Sequence, residues 1–480
     1  MKRIKVDEQS KFLLFAICLS LLLFDNGFYL FVPVVVIYIL LFQLQQPYKP
    51  GVFSLIALQH FLQIASGVWL CNYLGMDINY NTASRSTAIV ASSIGLCFLL
   101  APVIYYQQKI PAQSRKTLTG YVKEFSTQKV MYLYIISFFT ASTLGSVAFI
   151  FGGLTQLIVG FVKIKWLLFL LFGYMCYLKK EYRNIFYLFI ALEFLNGFLG
   201  FFSDFKTVIY FMIILIFSLV ERLNFKQFFS VLVIGAFLAF FGIVWTNIKG
   251  EYRAFLNRGE RSQTVSVERG EAVDKLLDLS GKVNNESLDG SVVSFLDRLQ
   301  YTYHFAKTID RIPEVLPYEY GANWLLSLEF TTTPRILNPN KPNYDATEKT
   351  KKYTGLRYLG QAQGVSFSLG YFPDCYIDFG IYGMMGVLLV LGMLYMFIYS
   401  YILRKSSKNL VFNYAAVGAF FLEFCALEMD STYLLGRLFS SMIVFYFSIL
   451  FIFPRIIKFI TISPKKEEIS SYLTQQQLQQ

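Results

Sequence analysis

Charge is scarce in this 480-residue chain: only 15% of its residues are Asp, Glu, Lys or Arg, against roughly a quarter in a soluble domain. Two histidines give no basis for a multi-histidine metal centre, so no metal is expected. The six cysteines (Cys18, Cys71, Cys97, Cys176, Cys375 and Cys425) are scattered, mostly in apolar runs, with no CxxC pair. That excludes a thiolate metal cluster and a disulfide framework, and leaves at most one outer pair open. The sequence also lacks a GxGxxG in a strand–helix setting, a P-loop, an HExxH and a GxSxG, so no cofactor is expected. Together these absences exclude a soluble multidomain enzyme, a disordered chain and a fibre. What is present is apolar: 55% hydrophobic residues, with 50 Phe and 33 Tyr, and a mean hydropathy of +0.49. This is the composition of an all-α polytopic membrane protein.

A membrane span takes about 20 mostly apolar residues. Runs of that kind lie near 12–25, 28–45, 52–71, 86–106, 130–150, 157–178, 184–202, 205–221, 228–246, 379–402, 410–428 and 433–460, which predicts about twelve spans. The first run follows Met1–Lys5 without a small-residue cleavage site and reads as an uncleaved span. Gly152-Gly153 marks either a turn or a re-entrant segment. Formal net charge is +12, which on a soluble protein would suggest nucleic acid. Its distribution points elsewhere. Asn247–Gly370 holds 16 basic and 15 acidic residues. The excess lies in Lys2–Lys5, Lys49, Lys109–Lys129, Lys179–Arg183, Arg222–Lys226, Arg404–Lys408 and Lys458–Lys466, whereas the alternate connections near Asp77, Gly153, Asp204 and Asp430 carry few cations. By the positive-inside rule both termini are cytoplasmic. No nucleic-acid partner is expected; the bilayer is.

This organisation gives a membrane domain of about nine spans over 1–246, an external loop over 247–370 and three further spans within 371–462. The tail 463–480 reads as disordered, with a Gln-rich stretch over Leu473–Gln480. The loop is too long for a simple connector. Its first part, Arg258–Ser291, is charged and reads as mobile. Val293, Leu296, Leu299, Tyr303, Ala306 and Ile309 recur at helical spacing within Val292–Ile309. A second helical run covers Ala322–Phe330, and a Pro-rich turn region covers Thr331–Tyr344.

Chemistry must come from polar groups in unusual places. Lys163, Lys165, Lys206 and Arg437 stand in the outer halves or ends of expected spans, where ionisable groups are costly. A structural ion pair or snorkelling explains any one of them; together they suggest an anion at the outer face, and Lys and Arg suit phosphate or pyrophosphate. In the loop, Arg335 and Lys341 are flanked by prolines that restrict the backbone, beside Tyr320 and Trp324, which could stack on a sugar. A solvated proline turn is the plain alternative. In Tyr371-Phe372-Pro373-Asp374-Cys375-Tyr376-Ile377-Asp378-Phe379-Gly380 two carboxylates four residues apart would share a helix face. One could deprotonate a sugar hydroxyl as general base; an N-terminal helix cap is the plain alternative, and the favoured one for Asp378. Mid-span Glu193 is either functional or paired. Glu428 and Asp430 could simply pair with Arg437, His304 reads as surface packing, and His60 as a hydrogen-bonded interior histidine.

Three features resemble the Wzy-type O-antigen polymerases. They are the plan of about twelve spans with one large loop before the last three, the run Tyr320-Gly321…Trp324…Thr333-Pro334-Arg335…Pro339…Lys341-Pro342, and Asp374-x-Tyr376-x-Asp378-Phe379-Gly380…Gly383. The family commonly carries Glu five residues before its Phe-Gly; this chain has Asp374 there. Lys206 resembles a basic residue often found after an outer turn. The motif-bearing match covers roughly 200–440, and the first 200 residues match only in hydropathy. The resemblance implies a glycosyltransferase of the bacterial inner membrane acting on oligosaccharide repeat units carried by undecaprenyl pyrophosphate, with a chain-length regulator as a partner. Arg335, Lys341, Lys206 and Arg437 would stabilise the departing pyrophosphate, and Asp374 would activate the acceptor hydroxyl. An O-antigen ligase shares the plan but relies on an external His with Arg, for which His304 is the sole loop histidine. A lipid-oligosaccharide flippase would normally show two related halves, and none is seen. A non-catalytic scaffold of an envelope assembly complex leaves the outward cations and the proline-held basic pair without a role.

Overall fold

The structure, a computed structural model, describes residues 5–6, 15–16 and 19–462, apart from 112, 149–154, 199–204, 224, 261–264, 284, 334–337, 339, 359–365 and 426. The glycine pair at 152–153, Arg335 and the tail from 463 therefore lie outside the described residues, as do residues 12–14, 17 and 18 of the first expected span. Almost all of what is described is helical. Strand pairing among the described residues is a two-residue parallel ladder between β1 (Lys5–Val6) and β2 (Arg222–Leu223) and an isolated antiparallel bridge between Phe125 and Thr461.

Helices form where apolar runs let the backbone satisfy itself. In order they are α1 (Gly27–Leu44), α2 (Val52–Tyr73), α3 (Arg85–Lys109), α4 (Arg115–Lys123), α5 (Thr127–Ala148), α6 (Thr155–Lys179), α7 (Arg183–Asn196), α8 (Phe205–Leu219) and α9 (Phe225–Leu256). Then come α10 (Arg269–Gly281), α11 (Asn285–Leu299), α12 (Thr302–Arg311), α13 (Ala322–Thr332), α14 (Ala346–Thr354), α15 (Tyr371–Lys405), α16 (Leu410–Phe421), α17 (Ser431–Phe447) and α18 (Phe453–Ile460). Among the described residues six helices are long and apolar enough to cross a membrane: Gly27–Leu44, Val52–Tyr73, Arg85–Lys109, Leu157–Lys179, Tyr371–Lys405 and Ser431–Ile460. Phe205–Leu219 and Leu410–Phe424 are apolar but shorter. The run expected near 184–202 yields only the 14-residue α7. Six helices of spanning length thus stand where the sequence suggests about twelve.

The buried centre is formed where α2, α3, α6, α15 and α16 meet, with Phe53, Tyr174, Tyr395, Tyr399 and Phe421 in its interior. His60 on α2 is fully enclosed; Nδ1 contacts the Ile56 carbonyl (2.8 Å) and Nε2 the Tyr371 hydroxyl (2.5 Å). It is an interior histidine with both ring nitrogens engaged.

The segment 247–370 folds differently from its sequence pattern. α9 continues ten residues past 246, and α10 packs on that extension through Tyr252, Leu256, Ala272 and Leu279, so Arg258–Ser291 contains an ordered helix. The helical pattern of 292–309 breaks in two. Tyr301 turns its backbone N–H out to the Gln63 carbonyl (3.1 Å), a bond that a continuous helix could not make. The resulting pair, α11 and α12, forms a V. α11 lies antiparallel beside α2, tied to Tyr73 through Asp289 (3.1 Å) and to Gln63 at its far end. α12 returns to the 79–82 turn, where Thr82 donates to Asp310 (2.6 Å). The apex sits against Gly67 of α2, whose missing side chain makes room for Thr302.

α15 also folds back on itself. Gly380 sits at φ 65°, ψ −172°, outside helical geometry. A side chain at Gly95 of α3 would meet Leu388 at 2.8 Å and Phe372 at 3.3 Å. In a straight helix these two residues would stand about 24 Å apart at 1.5 Å per residue. They can share one neighbour only if the short arm, 371–379, doubles back beside the long arm, 381–405. The reversal exposes the carbonyls of Ile377 and Asp378, which accept from the N–H groups of Glu319 (3.0 Å) and Tyr320 (3.1 Å).

Candidate functional site

The short arm of α15 brings its two acids to the junction of α13, α14 and α17. Asp374 is fully buried. Three donors converge on its Oδ2, each at 2.7 Å: the Lys349 ammonium, the Ser431 N–H and the Ser431 hydroxyl. Its Oδ1 is buried and has no hydrogen-bond partner among the described residues, an arrangement that is normally expensive. Each element contributes one group. α14 is capped at its start by Asp345 and ended by Gly355 in the left-handed region, and the helix between them presents Lys349. α17 begins at Ser431, its first turn capped by Asp430.

Asp430 adds a second enclosed carboxylate. It accepts from the Tyr433 N–H (2.9 Å) and the Tyr344 hydroxyl (2.6 Å). Burial pushes its pKa up, Lys349 pulls it down, and Asp374 adds to the rise. Burial and Asp430 together raise the Tyr344 hydroxyl further. Lys349 thus stands between two carboxylates. Ser327 of α13 closes the group through Ser431 (2.7 Å) and Thr432 (2.8 Å).

Asp378 does cap a helix, but not its own. It accepts from the N–H groups of Asn323 (3.1 Å) and Trp324 (2.9 Å), the first turn of α13, where a carboxylate meets the positive end of the helix dipole. Asn323 also reaches the Asp374 carbonyl (3.3 Å). Trp324 is thereby fixed one helix turn from Asp374. Tyr320, beside it, is 79% exposed. Glu319 holds the neighbouring turn through Lys352 (2.8 Å) and Tyr353 (2.7 Å), which keep its carboxyl below the usual range.

The remaining candidates from the sequence do not join this group. Lys341 donates to the carbonyls of Phe330 and Thr333 and lies 3.6 Å from the Phe330 ring; it closes the C-terminal end of α13, where a cation suits the dipole. Arg437 is exposed on α17 and Lys206 is exposed at the start of α8. Glu193 is buried, paired with Lys165 (2.9 Å) and accepting from Tyr134 (2.7 Å). Lys163 pairs with Glu423 (2.7 Å). The sequence reading therefore left open three residues, Lys163, Lys165 and Glu193, that stand in two ion pairs. It also missed Lys349 and Ser431. A lysine between Glu348 and Lys351 in a polar helical run carries no signal of burial, apart from the threonines Thr347, Thr350 and Thr354 that form its inward face. His304 is half-buried. Burial lowers its pKa to about 4, Nε2 contacts the Tyr358 hydroxyl (2.7 Å), and Nδ1 lacks a partner among the described residues. Among the described residues no group of three or more His, Cys, Asp and Glu could hold a metal.

Across residues 48–423 the chain matches the family described as domain of unknown function DUF8712, and it belongs to that family. No curated protein and no solved structure matches it.

Proposed function

We propose that this DUF8712 chain is a membrane glycosyltransferase that polymerises oligosaccharide repeat units carried on undecaprenyl pyrophosphate. In this reading the chain crosses the bacterial inner membrane about twelve times with both termini in the cytoplasm, as the charge pattern of the loops suggests. The segment 247–370 then faces the periplasm. The V of α11 and α12 and the folded-back arm of α15 reach down among the spans.

The observation that carries the reading is Asp374. Three donors on Oδ2 fix the carboxylate, and Oδ1 is left as a buried acceptor with no partner among the described residues. A group of that kind suits the acceptor hydroxyl of a sugar. The hydroxyl proton passes to Oδ1 and the freed oxygen attacks the anomeric carbon of the donor chain. The bond from that carbon to the phosphate oxygen breaks, and the electron pair leaves with the lipid pyrophosphate. No nucleotide sugar is required. Trp324 and exposed Tyr320 offer faces for sugar stacking at the same turn.

The ligase alternative needs an available histidine, and half-buried His304 has its Nε2 engaged by the Tyr358 hydroxyl (2.7 Å). The test uses purified protein in vesicles with an undecaprenyl-pyrophosphate-linked repeat unit. Wild type elongates the glycan, and Asp374→Asn elongates at least about 100-fold more slowly, the range for loss of a general base. Elongation by Asp374→Asn at the wild-type rate would sink the assignment.

A further inference from the structure

The polarity of α13 is reversed. Its buried side chains are Asn323 and Ser327, one helix turn apart. Both face the protein: Asn323 donates to the Asp374 carbonyl (3.3 Å), and Ser327 meets the hydroxyls of Ser431 (2.7 Å) and Thr432 (2.8 Å). The opposite side therefore looks outward. It carries Leu325 and Leu326, 65% and 64% exposed, with Leu328 exposed beside them. The sole charge in this helix, Glu329, is exposed in its last turn. A helix between protein and water buries its apolar stripe and shows its polar one. Exposed leucines that stand singly need no explanation, but three on one 11-residue helix form a patch.

The patch continues onto α15. A side chain at Gly321 would stand 3.2 Å from the Phe379 ring, so α13 starts against the reversal at Gly380. Past that reversal Tyr382 is 94% exposed. Tyr382, Gly386, Val390, Met393 and Phe397 then recur every three or four residues as one exposed stripe along the long arm. Tyr371–Lys405 is long and apolar enough to cross a membrane, and this stripe is the side it would turn to lipid. Depth agrees. A hydrocarbon core of about 30 Å takes about 20 helical residues. Counted back from Arg404 and Lys405 in the last turn of α15, the core ends near Met384. Tyr382 then stands at its edge, where aromatic side chains collect. Counted back from Arg455 and Lys458 of α18, the core ends between Leu435 and Leu438 of α17. That leaves Ser431, the partner of Ser327, within about 10 Å of the same edge. Both counts set α13 at the level of the lipid headgroups.

We propose that α13 lies in the membrane surface, with Leu325, Leu326 and Leu328 among the first acyl-chain carbons of the phospholipids on that side. The inference rests on the membrane placement in the proposed function, and it needs neither the polymerase chemistry nor the choice of leaflet. Phospholipid is the occupant because the leucine face meets, at Phe379, the stripe of α15 that already faces lipid. Glu329 lies at the other end of α13 from that junction, where its carboxylate can reach water. A helix of this kind sinks about 5–10 Å into the boundary between headgroups and acyl chains. The segment 247–370 is then not wholly in water. Asp374 and Ser431 sit behind a helix whose outer side is lipid, and Asn323 and Ser327 tie them to it.

The test attaches a bimane label at Leu325→Cys, Leu326→Cys or Leu328→Cys in the full-length protein, reconstituted in phosphatidylcholine vesicles. Brominated acyl chains quench a label in lipid, and iodide on both sides of the membrane quenches a label in water. The wild-type chain, labelled in parallel, gives the background from the native cysteines. Phe397→Cys on the stripe is the lipid reference, and Glu348→Cys, exposed on α14, is the aqueous one. The expected result is loss of fluorescence at all three leucine positions when bromine sits near the glycerol end of the chains, with little loss to iodide. Phe397→Cys should respond to bromine set deeper. Iodide quenching equal to that of Glu348→Cys would overturn the proposal, as a face in water. Protection from both quenchers would overturn it too, as a face covered by a second copy or by another segment of the chain. All three positions are on the surface, so one misfolded variant does not close the test. The measurement needs neither glycan nor turnover. Quenching by bromine in a chain that does not elongate glycan would refute the polymerase reading alone, and iodide quenching in a chain that elongates would refute this inference alone.

Discussion

Lys349→Met is the most informative single change in the acid cluster. Lys349 and Asp374 are 2.7 Å apart, with side chains 11% and 0% exposed, so solvent does little to screen the pair. The substitution leaves Asp374 with two donors from Ser431 and no countercharge, beside the second acid Asp430. Removing one partner of a buried ion pair costs about 3–5 kcal/mol. Adding Asp374→Asn removes the stranded charge, and the amide oxygen still accepts from Ser431. The double variant should recover at least about 2 kcal/mol of that loss, a coupling of the size found for contacting residues. Equilibrium unfolding in mixed micelles would measure all four corners of the cycle. Elongation would separate stability from chemistry, because the double variant regains stability but has no carboxylate to take a proton. A loss below about 1 kcal/mol for Lys349→Met, or a double variant no more stable than Lys349→Met alone, would refute the ion pair as the organiser of this site.

Three further outcomes are expected. Gly380→Ala places a side chain at φ 65°, 3.1 Å from the Tyr318 hydroxyl. It should cost at least about 1–2 kcal/mol and slow elongation by misplacing the short arm; wild-type stability would mean the reversal is not fixed there. Glu193→Gln strands Lys165 in the interior and should lower stability by about 3 kcal/mol while elongation per folded molecule is unchanged; selective loss of elongation would return Glu193 to the site. His304 is neutral when folded, with a pKa of about 4 against an ordinary 6.5. Its depressed value means that stability is full above pH 6.5 and falls as pH drops from 6.5 toward 4, since the unfolded chain takes up the proton first. His304→Phe should flatten that part of the melting profile and leave elongation in place, whereas loss of glycan transfer at neutral pH without loss of fold would favour a ligase.

Much of this architecture is legible from periodicity and from punctuation. The apolar runs mark the long helices because a backbone without water must bond to itself, and Ala322–Phe330 carries its own helical signal. The position of Asp374 is legible too, from a carboxylate at the start of a helix beside Phe379-Gly380. Its partners are not. Lys349 and Ser431 are 25 and 57 residues away, and nothing in a polar run such as 346–354 tells a buried lysine from a solvated one. Asp378 looks like a cap from sequence, but only tertiary packing reveals that the helix it caps is α13. The break at Tyr301 is invisible for the same reason: the N–H leaves the helix for a carbonyl on α2. Lys341 was readable as a C-terminal helix partner, given its place after α13, but the flanking prolines drew attention to an anion instead.

The most direct test of the central claim is replacement of Asp374 by Asn in the source bacterium, with surface glycan resolved by length on a gel and protein abundance measured in parallel. At normal abundance the ladder should collapse to a single repeat unit on its acceptor, as in a full deletion. An unchanged ladder would contradict Asp374 as the catalytic base. Long polymer retained on its lipid carrier, or no glycan at the outer face, would instead point to a ligase or a flippase.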